Sequence, residues 1–410
     1  MQAVIAIPDR ATLHQYGGVE QALMREVCGV PLLVRSIKTA ILAGADSVVV
    51  IWPSNVPLTT WLECQRSLKK VSANRFTLSW PGNFNPRRNS DWVALSPVLK
   101  DSFLWLPWNW TTHKSALLEL SSGPALPACW SMPAALEKHS VLHGGKIRPS
   151  SERQPEGVKV TSRETAWQAA RLLVARAGKP LDGICSIFNR WLCRPAVRLL
   201  SYTPVAPDAV TWAGLAIALL GAWMFAQASY AAYVAGALLF FLSGLCDEMH
   251  GMLARIKFRE PAFGTRFEGF VDNATCLLTF GGITAGLCKQ HGVSELIYGN
   301  ALTLGCVLSL AAVNLPRRRS TYPARPNEYL GKMYGLWDCD SSRYVHVFLK
   351  KAVVMHYLLW VTVLGGLPAF LRLAALGSNL TWILGVYSSR RFSRRPAWTG
   401  QLNVLVPPAN

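Results

Sequence analysis

The stretch AAYVAGALLFFLSGLCDEMHGMLAR, residues 231–255, joins two kinds of chemistry in one helix-length run. Its first part, 231–246, is uncharged and approaches the ~20 residues that a helix needs to cross a bilayer. Its second part begins at Asp247 and Glu248 and ends at Arg255. Acidic side chains are costly inside a membrane, so those standing at the end of an apolar helix are expected to face a cavity and to carry function. Working outward, further apolar stretches of similar length lie at 210–227, 270–288, 295–315, 352–367 and 369–387. The expectation is an all-α polytopic membrane domain of about six helices over residues 207–390, with a tail at 391–410.

Composition agrees. Hydrophobic residues make up 51% of the 410 and charged residues only 16%, with a mean hydropathy of +0.22. This excludes a disordered chain and argues against a wholly soluble one. The formal net charge of +19 is placed where a membrane protein would use it. Arg255, Lys257 and Arg259 follow the second stretch; Arg317, Arg318, Arg319, Lys350 and Lys351 lie between the fourth and fifth; Arg390, Arg391, Arg394 and Arg395 follow the sixth. The alternate loops hold only Lys289 and Arg372. That asymmetry predicts a multi-pass protein with both termini in the cytoplasm, in the inner membrane if the source is bacterial. The charge is thereby assigned to anionic lipid rather than to nucleic acid. Ten cysteines form no CxxC pair, which argues against a structural zinc site. The apolar opening, Ala3 to Ile7, is too short for a secretory signal.

Residues 1–150 have a different character. Ala3 to Ile7, Ser47 to Ile51 and Phe103 to Leu106 read as buried strands, with a mostly helical stretch from Gln21 to Ala43 in which Pro31 marks a helix start. Strand, helix, strand implies an α/β (Rossmann-like) domain with a parallel sheet. Residues 151–206 read as a linker with one helix near Arg163 to Ala177 and a joint at Lys179 to Gly183. Within it, Trp191, Leu192, Val197, Leu199 and Leu200 alternate with Arg190, Arg194 and Arg198. Two readings stay open there: an interfacial helix on the cytoplasmic leaflet, or a helix packed on the N-terminal domain.

On a helix, Asp247 stands one turn from His250 and Gly251, and Glu268 and Asp272 share a face at i, i+4. Gly251 and Gly264 leave room for a close approach. Two such helices facing each other would present four metal-capable side chains around a glycine-lined gap at the cytoplasmic membrane surface.

This pattern resembles the CDP-alcohol phosphotransferase signature, D-x2-D-G-x2-A-R-x8-G-x3-D-x3-D, with every spacing kept. Asp247, Gly251, Ala254, Arg255, Gly264 and Asp272 match; His250 and Glu268 replace the second and third aspartates. Pro207-Asp208-Ala209-Val210-Thr211 is similar to the family's P-N-x-x-T element. The resemblance covers roughly residues 179 to 390. It implies transfer of a phosphatidyl or phospho-alcohol group from a CDP-linked lipid or alcohol donor to an acceptor hydroxyl, with release of CMP, in polar-lipid synthesis. It implies a divalent cofactor, magnesium or else manganese, held by Asp247, His250, Glu268 and Asp272, with Asp272 also the catalytic base. Gly251, Ala254, Arg255, Gly264, Asp208 and Thr211 would bind the nucleotide. Arg317, Arg318 and Arg343 are offered for an acceptor phosphate without motif support. A homodimer is the family expectation.

The two departures leave alternatives. Glutamate keeps the charge on a longer arm; histidine removes one and exchanges a hard oxygen for nitrogen, which suits magnesium poorly. An active enzyme with altered metal or substrate preference, a membrane pseudoenzyme that binds a nucleotide or partner, and a different transferase chemistry all fit. In the N-terminal half, Glu26 to Leu33 and Ala43 to Val50 resemble sugar-phosphate nucleotidyltransferases. The glycine-rich loop expected after the first strand is replaced by Pro8-Asp9-Arg10-Ala11-Thr12, and Asn109 stands where a metal-binding aspartate is expected. The domain reads as a non-catalytic relative; a bifunctional cytidylyltransferase/phosphotransferase is the alternative. His356 and the tryptophans near span ends read as packing or interfacial residues.

Overall fold

A computed structural model describes residues 2–68, 76–79, 95, 97–99, 103–121, 156–178, 184–259, 264–319 and 351–393. The chain divides into two compact units. One gathers Met1–Leu181, Arg190–Pro207 and Met249–Glu260; the other gathers Asp182–Asn189, Asp208–Glu248 and Pro261–Asn410.

In the first unit the elements run β1 (Gln2–Ala6), α1 (Arg10–His14), α2 (Val19–Leu23), β2 (Glu26–Val27), β3 (Val30–Pro31), α3 (Leu32–Leu42), β4 (Ser47–Ile51), α4 (Leu58–Leu68), β5 (Phe76–Ser79), β6 (Phe103–Pro107), β7 (Trp110–Thr112), α5 (Lys114–Ser121), β8 (Gly157–Lys159) and α6 (Arg163–Arg176). Four strands form a parallel sheet in the order β5-β4-β1-β6. Gln2 pairs with Ser47 on one side of β1 and Phe103 on the other, in register through Ala6. As expected of a central parallel strand, β1 is apolar on both faces. Ala3, Ile5 and Ile7 join Val48 and Val50, Leu33 and Ile37 of α3, and Trp61 and Cys64 of α4 in one core.

The helical stretch expected from Gln21 to Ala43 is broken. Between α2 and α3 the chain makes a short antiparallel hairpin, β2–β3, because Cys28 and Gly29 both adopt positive φ (53° and 66°). No helix can run through two left-handed residues. Helix α3 starts directly after Pro31, as its position suggests. The linker helix α6 begins after Ser162, whose side chain forms a capping box with Thr165.

The remaining helices are α7 (Ile184–Ser201), α8 (Pro207–Phe225), α9 (Tyr230–Ile256), α10 (Gly264–His291), α11 (Glu295–Arg319), α12 (Lys351–Val363) and α13 (Leu367–Ser393). Among the described residues, four are long and apolar enough to cross a membrane, at Pro207–Phe225, Tyr230–Ile256, Glu295–Ala312 and Leu367–Leu384. The described part of helix α12, Lys351–Val363, is apolar. Helix α10 has length to spare, but its first turns carry Arg266, Glu268 and Asp272.

Within the second unit α11 and α13 pack along each other. Their contact uses small and amide side chains, as expected where apolar packing alone gives no preference between helix and lipid. Asn379 Nδ2 donates to Ala301 O at 2.9 Å, and Ser309 Oγ to Ser378 O at 3.1 Å. Arg372, expected in a loop, lies on α13 and donates to the buried Glu295 carboxylate at 2.6 Å.

Helix α7 reverses the usual water-facing pattern. Ile184, Ile187, Phe188, Trp191, Leu192 and Leu199 are exposed, whereas Ser186, Asn189 and Arg190 are buried. Its apolar residues therefore form the outer stripe.

Candidate active site

Helix α9 carries the first half of the signature. It continues ten residues past the apolar stretch, to Ile256, so Asp247, His250, Gly251, Ala254 and Arg255 lie on one uninterrupted helix. The division into units runs through this helix, between Glu248 and Met249.

On the side of the second unit, Asp247 belongs with α10 and α12. Lys351, the first residue of α12, donates from Nζ to Asp272 Oδ1 at 2.8 Å. The ammonium is 16% exposed and the carboxylate 35%. Asp247 acts on the same ammonium electrostatically. Lys351 thus bonds Asp272 on α10 and feels the charge of Asp247 on α9, 25 residues earlier in sequence. The side chain of Glu268 lies outside the described residues, as do those of Arg317, Arg318 and Arg343; Gly264 begins α10. Asp208, in the first turn of α8, is exposed, and Thr211 is buried one turn on.

On the side of the first unit, His250 and Ala254 are buried. The guanidinium of Arg255 folds over Gly251, 3.3 Å from where a Cβ would stand, and its Nε donates to Ala177 O at 2.6 Å. Beyond it, Ile256 O accepts from Arg35 Nη2 at 2.9 Å, and Arg35 also donates to Val27 O from Nη2 at 2.8 Å and from Nε at 3.1 Å. Arg35 is 2% exposed, and the Phe258 ring stacks 5.0 Å from its guanidinium. Lys257 Nζ donates to Leu200 O, Thr203 O and Val205 O at 3.1, 2.7 and 3.1 Å, closing the carbonyl end of α7.

Of the residues singled out in sequence, the structure bonds Asp272 to Lys351. In the sequence Lys351 reads only as a topological charge, because its partner lies 79 residues away and nothing local announces the pairing. His356, read as a packing residue, bonds Asn189 Oδ1 through Nε2 at 2.7 Å and lies among Phe188 and Phe241.

The N-terminal domain has no glycine-rich loop after β1. Asp9 instead caps α1, its Oδ1 accepting from Thr12 N at 2.9 Å; the Thr12 hydroxyl, then this N–H, hold the carboxyl below the usual carboxylate range. Asn109 is buried in the turn between β6 and β7.

Asp247 and Asp272 offer carboxylate oxygens, the donors that a hard divalent ion prefers. Among the described residues, no three His, Cys, Asp or Glu side chains group closely enough to hold a metal. Glu268 stands outside that comparison.

No model of a known protein family matches the chain, and no curated protein matches it.

Proposed function

We propose that the protein is a membrane transferase of the CDP-alcohol phosphotransferase type, with six membrane helices, cytoplasmic termini and a non-catalytic N-terminal domain. The observation that carries this reading is the bond from Lys351 to Asp272, the last acidic position of the signature, with the charge of Asp247 on the other signature helix acting on the same ammonium.

In this reading a CDP-linked donor lies with its pyrophosphate toward Asp247 and Asp272. The acceptor hydroxyl attacks the phosphorus distal to cytidine. A new P–O bond forms, the bond to the CMP oxygen breaks, and the hydroxyl proton passes to Asp272. A divalent ion, magnesium or manganese, would supply charge neutralisation for the leaving phosphate from the Asp247, His250, Glu268 and Asp272 side chains. Arg255, with Gly251 and Ala254, faces the nucleotide. Asp208 and Thr211 lie at the start of the first membrane helix.

The test is CMP release by detergent-purified full-length protein from CDP-diacylglycerol and CDP-inositol, with a panel of hydroxyl acceptors and with magnesium, manganese or zinc. Acceptor-dependent CMP that falls at least about 100-fold in Asp272→Asn is the expected result. CDP-alcohol binding without CMP from any pair would overturn it in favour of a binding protein. That second reading draws on the closed Lys351–Asp272 pair and on the bond between Arg255 and Ala177 O. A cytidylyltransferase role for residues 1–150 is not part of the proposal, because Asp9 caps a helix where a phosphate loop would be needed.

A further inference from the structure

From Arg190 onward, helix α7 belongs to the first unit and packs one face against it. Arg190, Cys193, Val197 and Ser201, at i, i+3, i+7 and i+11, are buried on that face. Arg190 Nη1 lies where a Cβ on Gly178 would stand, and the Arg198 guanidinium lies 5.4 Å over the Trp167 ring of α6. The opposite face is formed by Trp191, Leu192, Pro195 and Leu199. All four are apolar and exposed, Trp191 to 59% and Leu199 to 67%. Trp167, exposed on α6, stacks 5.7 Å from the exposed Tyr202 and widens this surface. Helix α6 shows the ordinary pattern for water: it buries Ala166, Ala169 and Leu173 and exposes Gln168, Arg171 and Arg176. A contiguous apolar face of the α7 kind marks a surface that is covered in use.

The next element of the chain says what covers it. Helix α7 is not among the helices apolar enough to cross a membrane, since its 18 residues include Asn189, Arg190, Arg194 and Arg198. Helix α8, which is among them, starts at Pro207, five residues after α7 ends at Ser201. A link of that length reaches at most about 20 Å, so the end of α7 stays near the point where α8 enters the bilayer. Helix α7 also carries three arginines and no acidic residue. Arg194 and Arg198, half-buried, border the apolar stripe. We propose that α7, from Arg190 to Ser201, lies along the phospholipid surface. Trp191, Leu192, Pro195 and Leu199 sink to the boundary of the acyl chains, and Arg194 and Arg198 reach the headgroup phosphates. Trp167 and Tyr202 stand at the level where amphipathic rings are favoured. This rests on α8 as a membrane helix and not on the transferase chemistry.

Photo-crosslinking tests it in the full-length chain. The photoreactive residue p-benzoylphenylalanine replaces, one at a time, Trp191, Leu199, the exposed Leu219 of α8 and the exposed Leu62 of α4. Each monodisperse protein is reconstituted into vesicles of phosphatidylcholine and phosphatidylglycerol and irradiated. Lipid adducts are read by mass spectrometry and chain-to-chain adducts by denaturing gel. The expected result is a lipid adduct at positions 191 and 199, within about threefold of the yield at 219 and at least about tenfold above that at 62. If the variant at 191 does not fold, the one at 199 decides. Chain-to-chain adducts in place of lipid adducts overturn the proposal, since a second copy then covers the stripe. An adduct at 219 with none at 191 or 199 leaves the stripe in water and overturns it as well. So does a yield at 62 equal to that at 199. Absence of lipid from position 219 removes α8 from the membrane and the proposal with it, while CMP release still judges the transferase by itself.

Discussion

Gly29 turns the β2–β3 hairpin at φ +66°, and a Cβ there would stand 2.6 Å from the carbonyl oxygen of Ser201. Both demands fall on one residue: the left-handed backbone alone costs an L-residue about 1–2 kcal/mol, and the carbonyl leaves no space for a methyl group. Gly29→Ala is therefore expected to lower the stability of the purified chain by at least about 1–2 kcal/mol, measured as its denaturant midpoint. An unchanged midpoint would mean that the hairpin does not rest on Ser201. Beside it, Arg35 shows why one buried cation is worth keeping. It satisfies the carbonyls of Val27 and Ile256 together, so removing it would strand two buried acceptors. The composition of the hairpin was readable, but its partner was not, because Gly29 and Ser201 are separated by most of the N-terminal chain.

At the scale of elements, helix ends carry much of the specificity. Helix α5 follows β7, and a histidine accepts from an N–H of its first turn: Ser115 N donates to His113 Nδ1 at 3.3 Å, and Ser115 Oγ lies 2.9 Å from the same nitrogen. The ring caps the helix only while Nδ1 keeps its lone pair. Burial, then Lys114, Arg176 and Arg255, push the His113 pKa down to about 4 from 6.5. Between these values the unfolded chain binds a proton that the folded chain refuses, so stability falls as pH drops from about 6.5 to 4 and levels off below that. In Asn at position 113, made by His113→Asn, this contribution to the slope is expected to vanish. Thermal melts at pH 7, 5.5 and 4.5 decide it, and equal acid sensitivity in both proteins would assign the slope elsewhere. Element boundaries show the limits of periodicity. Strand β4 was legible to the residue, because Ser47 to Ile51 is an apolar run between a turn and a proline. The apolar stretch in α9 stops at 246, but the helix continues to Ile256, as the one-turn spacing of Asp247 and His250 requires, because polar residues propagate a helix as well as apolar ones.

For the whole molecule, the number of membrane crossings is the question with most consequence. Four helices meet the length and apolarity of a span, and the proposal adds α10 and α12 to make six. The two counts place residue 293, exposed between α10 and α11, on opposite sides: away from the cytoplasm if α10 crosses, within it if neither α10 nor α12 does. Labelling of Val293→Cys by an impermeant maleimide in sealed cells, above the background of the unmodified chain, is the expected result. Labelling only after the membrane is opened would reduce the domain to four crossings. What the sequence determined by itself was the division into an α/β half and an apolar helical half, three of the four strands of the parallel sheet (Phe76–Ser79 was missed), and the pattern from Asp247 to Asp272. These depend on composition and on spacing along one or two helices, which are local quantities. The tertiary structure decided what meets what. It bonded Lys351 to Asp272, gave Arg255 to the carbonyl of Ala177, and left most apolar residues of α7 exposed. A charge in the sequence carries no record of its partner, since pairing across 79 residues depends on how helices pack and not on any period within them.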